Sequence, residues 1–433
     1  MLTPLPPART GVAHYASMVL PALAKRVELV DAKDADVVIY QLGNNPHHEE
    51  IYAEAMRRPG VVVLHDLVLH HLIVEMTLAR GDAEGYVAAL RASHGEAGAA
   101  WARGRAAGLH SEMGNFLLPA SVDVAQRAQS VIVHNRYAAE RLRSFGVTTP
   151  IHIVPHPYVP ETRTFPRRDD GKRVIGFFGF LTSAKRAEVV LEAFRIARAK
   201  DPRLELLIVG EPAPNIDVDA LKGEGITLTG YVADDDFPRY YALADRFVNL
   251  RYPTAGETSG TLIRALDAGK PVAVSDYAQF AELPDDIVFK IPLGPGEVER
   301  LVSFFLDDLD DPSQKQRAWL TQTASLAQTI EGYLTALVPS PRKPGEGQGE
   351  GLPLFPKIEV ISKTPLVLRN AGTTTLRTRT YAQPELRIIV RSATGDEWLS
   401  LLKDLHPGDT VELHPRATDF TLHFALQDIP NVP

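Results

Sequence analysis

Residues 253–274 read PTAGETSGTLIRALDAGKPVAV, and this stretch decides the fold. Gly256-Glu257-Thr258-Ser259-Gly260 is a small polar loop with one carboxylate. Directly after it, Leu262, Ile263, Ala265 and Leu266 set out an apolar side at helical spacing. Gly269 followed by Lys270-Pro271 is a stop signal, since glycine accepts the left-handed turn and proline cannot continue a helix. The apolar residues 272–274 then predict a strand. Loop, helix, glycine and strand make half of a parallel-sheet unit. In such units the loop amides and the positive helix end face the crevice where phosphorylated ligands bind.

Working outward, the surrounding sequence repeats the same alternation. Upstream, residues 173–179 (RVIGFFG) are an apolar strand of the kind buried on both faces. A helix over 187–199 follows, then strands at 204–209 and 226–228, a helix at 237–244 and a strand at 247–250 that delivers Arg251 to the central loop. Downstream come Asp276, a turn through Glu282, a strand at 287–291 and helices at 298–307 and 314–337. Residues 1–160 read as an earlier domain of the same class. Its helix spans 12–23 behind Thr10-Gly11, and strands are expected at 27–30, 36–40, 60–64, 130–133 and 151–154. Several of these end in polar groups, among them Asn44-Asn45, His65-Asp66 and His134-Asn135. Residues 82–129 are helical and Ala-rich, suiting either an acceptor-side lid or a covering helix pair.

Residues 161–170 read as a hinge, and 339–353 (PSPRKPGEGQGEGLP) as a flexible linker almost free of apolar groups. Beyond it the pattern turns to short alternating strands at 357–361, 365–368, 375–380, 386–390, 410–413 and 421–426, separated by Asn-Ala-Gly, Ala-Thr-Gly-Asp and Pro-Gly-Asp turns. That spacing predicts a small all-β sandwich over 354–433. The expected architecture is therefore α/β: two Rossmann-like domains, 1–160 and 161–338, followed by the linker and the β module.

Composition narrows the function. The chain has 433 residues, a net charge of −8 and no cysteine. The charge and the lack of a basic run argue against nucleic acid. The absence of cysteine removes thiolate metal sites and fits a reducing, cytoplasmic compartment. Residues 1–11 carry no apolar core, so no signal peptide is expected there, and no apolar run nears the roughly 20 residues that span a bilayer. A peripheral contact at the inner face of a membrane stays open.

The central stretch resembles the donor-site segment of the retaining family-four glycosyltransferases, whose two Rossmann-like domains face a cleft in the arrangement called GT-B. The closing pattern Ala-x-x-x-Gly-x-Pro-Val is met by residues 265–272, and Glu257 lies in the loop where the family's glutamate contacts the transferred sugar. The family has a second Glu just before that Ala, holding the ribose. Here Arg264 stands in its place, seven positions after Glu257 rather than eight. Similarly, residues 179–186 resemble the family's Gly-Arg-x-x-x-x-Lys-Gly. Gly179 and Lys185 match, whereas Phe180 replaces the Arg and Arg186 the second Gly. The resemblance further implies that the last helices pack back across the first domain and that a domain-one histidine, best matched by His65, orients the sugar at the reaction centre.

These patterns define the candidate residues. Glu257, His65 and Lys185 are the catalytic candidates. Donor binding is assigned to Gly11, Gly179, Lys185, Arg186, Arg251, Gly256, Glu257, Thr258, Ser259, Gly260 and Arg264, and the acceptor side to Asn44, His65 and Asp66. Lys185 and the loop amides offer the positive charge that a departing diphosphate needs. Each has a plainer alternative: a solvated lysine, a carboxylate favouring a helix dipole, a histidine in a crevice wall. Asp276 and Glu282 suit helix capping equally well. His47-His48 and His70-His71 do not share a helical face, and His152 and His156, separated by Pro155, read as wall residues, so neither a metal nor a cofactor is expected. The expected partners are a nucleotide-sugar donor and a glycan or lipid-linked acceptor, with the β module free to bind a protein or a glycan. A non-catalytic carbohydrate- or nucleotide-binding homologue is the alternative raised by the departures at 180 and 264, and a phosphorylase or epimerase on the same fold is a third reading.

Overall fold

The computed structural model describes residues 1–338 except 9, 110 and 167; beyond 338 it describes only the strand segments given below. Within Met1–Leu72, Arg127–Ala139 and Thr149–Pro341, two parallel sheets pack as one compact unit. The first sheet holds β1 (Ile39–Leu42), β2 (Val61–Leu64), β3 (Ser130–Val133) and β4 (Ile151–Ile153), in that spatial order. Its core joins Val19 and Leu23 of the Gly11–Leu23 helix to Val61, Val63 and Ile132, and also to Ile330, Tyr333 and Ala336 of the Leu326–Leu337 helix. That last helix starts at a reciprocal cap, Ser325 with Gln328, and so ends the chain's α/β part inside the core of its first sheet.

The second sheet holds β5 (Arg173–Phe178), β6 (Leu204–Val209), β7 (Ile226–Leu228), β8 (Arg246–Asn249), β9 (Val272–Ser275) and β10 (Phe289–Ile291). All pairings are parallel, and the order is β10-β9-β8-β5-β6-β7. Helices cover both faces. Phe194, Phe304 and Phe305 pack on one side, and Leu262, Leu266, Phe280 and Leu320 on the other. This two-sided burial explains the near-continuous apolar strands.

The strand expected at 27–30 does not form. Leu29 and Val30 are exposed, and β1 is met at its edge by Leu2, whose N–H donates to Ile39 O (2.8 Å) and whose carbonyl accepts from Gln41 N (3.0 Å). A four-residue run with charged neighbours offers too little apolar surface to displace that contact.

A second unit contains Ile73–Gln126, Glu140–Thr148 and the C-terminal strands. The expected helical stretch at 82–129 forms helices Ala83–Ala106, Glu112–Leu117 and Val122–Arg127. The strands form two three-stranded antiparallel sheets. One is β11 (Ile358–Lys363), β12 (Leu366–Asn370) and β15 (Thr410–Leu413); the other is β14 (Gly395–Ser400), β13 (Glu385–Ser392) and β16 (Thr421–Gln427). β14, not expected from the sequence, begins at Gly395, and Ser392 of β13 pairs with Gly395. The expected strand at 375–380 and the linker at 339–353 lie outside the described residues.

Candidate active site

In the second sheet the winding reverses at β5, which has β6 on one flank and β8 on the other. Ligand crevices open at such a point, beyond the carboxyl ends of the strands. β5 is followed by Gly179, with φ of +94°. A Cβ there would lie 2.6 Å from Lys185 Nζ and 3.1 Å from Thr261 Cγ2, so only glycine lets the lysine head and the start of the Gly260–Asp267 helix converge. Lys185 is 6% exposed, and its ammonium donates to Phe178 O. Burial, and then the charge of Arg251, push its pKa well below the usual lysine range, against the attraction of Glu257. The helix begins at Ser259, whose Oγ accepts from Leu262 N (3.2 Å). A cation and a positive helix end thus meet at one spot.

Arg186 has a protein partner. Its backbone is left-handed (φ +59°), the conformation that suits the glycine found here in the family it resembles. Its Nε and Nη2 hold the Glu297 carboxylate at 3.1 and 2.6 Å. Glu297 is buried, and burial raises its pKa in spite of Arg186. Arg186→Gly would relieve backbone strain yet strand a buried carboxylate. We expect a net loss of about 1–3 kcal/mol at neutral pH, read by denaturant unfolding, with Glu297→Gln restoring much of it.

The loop before the helix is held from several directions. Arg251 Nε lies 2.5 Å from Glu257 Oε1, an ion pair in which the N–H is turned off the line to the oxygen. Glu257 Oε2 accepts from Thr254 Oγ1 (3.2 Å). Gln279 Nε2 donates to Thr254 Oγ1 (2.8 Å) and to the Glu257 carbonyl (2.9 Å). From the first sheet, Asn135 Nδ2 donates to the Gly256 carbonyl (2.9 Å) and lies 3.4 Å from Thr258 Oγ1. Val68 N–H donates to the Ala255 carbonyl (3.0 Å). Glu282 caps the Arg136–Ser144 helix, accepting from the amides of Arg136 (3.0 Å) and Tyr137. It therefore serves as a cap, on a helix that starts beyond the first sheet. Asp276 is exposed and plays no part in the loop network described.

On the first-sheet side, the candidates differ in availability. Asn44 Nδ2 is 2.8 Å from His71 Nδ1, and its Oδ1 accepts from Leu72 N (3.1 Å). His65 has protein partners at both ring nitrogens: Nε2 is 3.2 Å from Gln41 Oε1, and Nδ1 is 3.3 Å from His134 Nε2. Burial drives the His65 pKa well below normal, followed by His134, His156 and His48, so its ring is neutral at physiological pH. Asp66 is less committed. Its Oδ2 accepts from Asn44 N (2.7 Å), while burial and then the Glu257 charge raise its pKa to about 7. Gly11 opens the first helix, where Thr10 Oγ1 accepts from Ala13 N (3.0 Å).

Arg264 joins three elements. Its Nη2 lies 2.8 Å from His14 Nε2 and 3.1 Å from Asp234 Oδ1. His14 Nδ1 is 3.7 Å from Asp234 Oδ2. Because a guanidinium only donates, His14 must carry its proton on Nδ1. Neither His14 nor Asp234 was singled out from sequence. The same holds for Asn135 as a loop anchor, Gln279 and Glu297, and no local pattern marks any of them.

The arrangement can receive a diphosphate between Lys185 and the helix start, with a carboxylate close enough to orient hydroxyl groups. Residues 172–307, which carry this crevice, match the family model described as "Glycosyl transferases group 1". Among curated proteins, mannosylfructose-phosphate synthase of Agrobacterium fabrum is 29% identical over 29% of this chain and 32% of its own. The 2-deoxystreptamine glucosyltransferase of Streptomyces kanamyceticus is 25% identical over 49% of this chain and 54% of its own. The chain thus spans about a third to a half of the curated relatives it matches. Among solved structures, the Anabaena protein Alr3699/HepE in complex with UDP and glucose is 17% identical, covering 75% of this chain and 83% of that one, with a TM-score of 0.49. The pneumococcal O-GlcNAc transferase GtfA with UDP and GlcNAc is 13% identical, covering 75% and 59%, with a TM-score of 0.47.

Proposed function

We propose that this protein is a retaining glycosyltransferase that moves a sugar from a nucleotide-sugar donor to a glycan, lipid-linked or other hydroxyl acceptor. The observation that carries the reading is the convergence of Lys185, Gly179 and the Gly260–Asp267 helix start at the sheet's switch point, inside the stretch matched by the family model. Lys185 and the helix amides balance charge on the departing diphosphate. Glu257, pre-set by Arg251 and Thr254, accepts from hydroxyls of the transferred sugar. Asp66 offers a carboxyl group with pKa about 7 beside Glu257, suited to proton exchange with the acceptor hydroxyl. Residues 1–160 and 161–338 then act as the two GT-B lobes, without an essential metal, and 354–433 as an accessory β-sandwich. Cytoplasmic work, free or at the membrane surface, follows from the same reading; no described helix is long and apolar enough to cross a bilayer.

Nucleotide release from UDP-, GDP- and ADP-sugars tests this reading. Glu257→Gln should lower kcat/KM by about ten- to a hundredfold, the scale of a charge-assisted hydrogen bond. The product's anomeric configuration, read by NMR, should match the donor's. Full turnover in the variant would remove Glu257 from the site.

One observation favours a second reading, a sugar-nucleotide binder without turnover. Of the cations Lys185, Arg186 and Arg251, the two arginines are already ion-paired. Tight nucleotide binding with no release from any donor would select it.

A further inference from the structure

We propose that Asp234, held in place by Arg264 and His14, is the carboxylate that reads the ribose hydroxyls of the donor nucleotide. The inference rests on the donor reading above and extends it to a residue outside the helix and loop. Thr261 lies against Gly179 and Lys185, and Arg264 follows it by three positions, on the same helix face one turn along. A group linked to a diphosphate at the helix start therefore reaches Arg264 within about one turn of helix, roughly 5 Å.

Two groups flank a sugar-linked diphosphate, and the crevice is unequal on its two sides. Towards β8 lies the Arg251–Glu257 pair. Towards β6 and β7, the rim carries two exposed aromatic side chains, Phe180 after β5 (55% exposed) and Tyr231 after β7 (51% exposed). Their loops adjoin: Leu181 bridges to Pro212, and Gly210 bridges to Gly230. Flat apolar faces at this rim suit a nucleobase, which places the nucleoside on the Asp234 side and the sugar on the Glu257 side.

Asp234 offers what a vicinal diol needs. An arginine in the helix cannot accept from two hydroxyls, whereas a carboxylate can. Arg264 Nη2 fixes Oδ1 at 3.1 Å, and His14 approaches Oδ2 at 3.7 Å, too far to saturate it. The acid is thereby positioned without being used up, and it faces solvent.

The test is equilibrium binding of UDP, GDP and ADP, each beside its 2′,3′-dideoxy form, to the full chain, Asp234→Asn and Arg264→Met. For the nucleotide that binds, the unmodified chain should prefer the ribose form by about ten- to a hundredfold. Asp234→Asn should shrink that preference to about twofold by weakening the ribose form alone. Arg264→Met should shift it partway in the same direction. Asp234 is exposed, so unchanged thermal unfolding is expected for its variant and separates a binding defect from a folding one. A preference that persists undiminished in Asp234→Asn, or is absent from the unmodified chain, overturns the assignment while leaving the donor reading intact. Failure of all three diphosphates to bind overturns both.

Discussion

Lys185→Met should reduce kcat/KM for a nucleotide-sugar by about a hundred- to a thousandfold while making the unliganded protein more stable. On the proposed reading the first effect follows from removing the buried lysine that would meet the diphosphate; loss of one preorganised donor to developing negative charge costs on this scale. The second follows from what Lys185 meets in the free protein. Its ammonium has a carbonyl, Phe178 O, as its hydrogen-bond partner, and Arg251 repels it. Replacing such a group by an apolar one of similar length should add on the order of 1–3 kcal/mol, read by denaturant unfolding.

The pH dependence carries a definite sign. The folded-state pKa of Lys185 is depressed, so between that value and the ordinary lysine range the unfolded chain holds a proton that the folded chain lacks. Its contribution is complete above the ordinary range and is lost as pH falls towards the folded value. Methionine at 185 should abolish that slope. Within that pH window a diphosphate beside Lys185 favours the charged form, so donor binding there should take up a proton and weaken as pH rises. Calorimetry in buffers of different ionisation enthalpy measures that uptake directly. Binding with no proton uptake would separate Lys185 from the phosphates.

Asp66 gives the second large effect, of opposite origin. Its folded pKa is raised from 3.8 to about 7. Between those values the folded protein holds a proton that the unfolded chain has released. Its contribution is therefore full below about 4 and is lost as pH rises to about 7. Asp66→Asn should remove this dependence and exceed the unmodified protein in stability above pH 7 by on the order of 2–4 kcal/mol, read by unfolding at pH 5 and pH 8. Ionised Asp66 also adds negative charge beside Glu257, so on the proposed reading kcat/KM of the unmodified protein should fall above pH 7. The asparagine variant should lack that limb. An unaltered pH profile in the variant would mean that another group sets it.

Much of the crevice was legible along the chain. The strand bounds 130–133, 204–209 and 226–228 follow from apolar runs ended by glycine or polar residues. The Gly260 helix follows from its spacing and its serine cap. These signals are local, set by steric and solvation preferences within a few residues. Lys185 was also legible, because a strand ending in glycine six positions earlier fixes where a lysine at the next helix start can reach.

What these side chains touch was not legible. Arg186 could serve a phosphate by its position alone, yet a helix 111 residues later offers it a buried glutamate. His65 read equally as an orienting group or as a crevice-wall residue, and the chain alone did not show that His134, 69 residues on, meets its Nδ1 while Gln41 meets its Nε2. Arg264 stood where an acid was expected, and the acid beside it comes from a loop 30 residues earlier, with a histidine 250 residues away steadying both. By itself the sequence determined two parallel α/β sheets, the polar loop before the Gly260 helix and the lysine after β5, since each depends on neighbours in the chain. Only the tertiary structure decided which charges are spent on each other and which stay open to a ligand. That choice depends on distances between elements far apart in the chain, and no local preference encodes them.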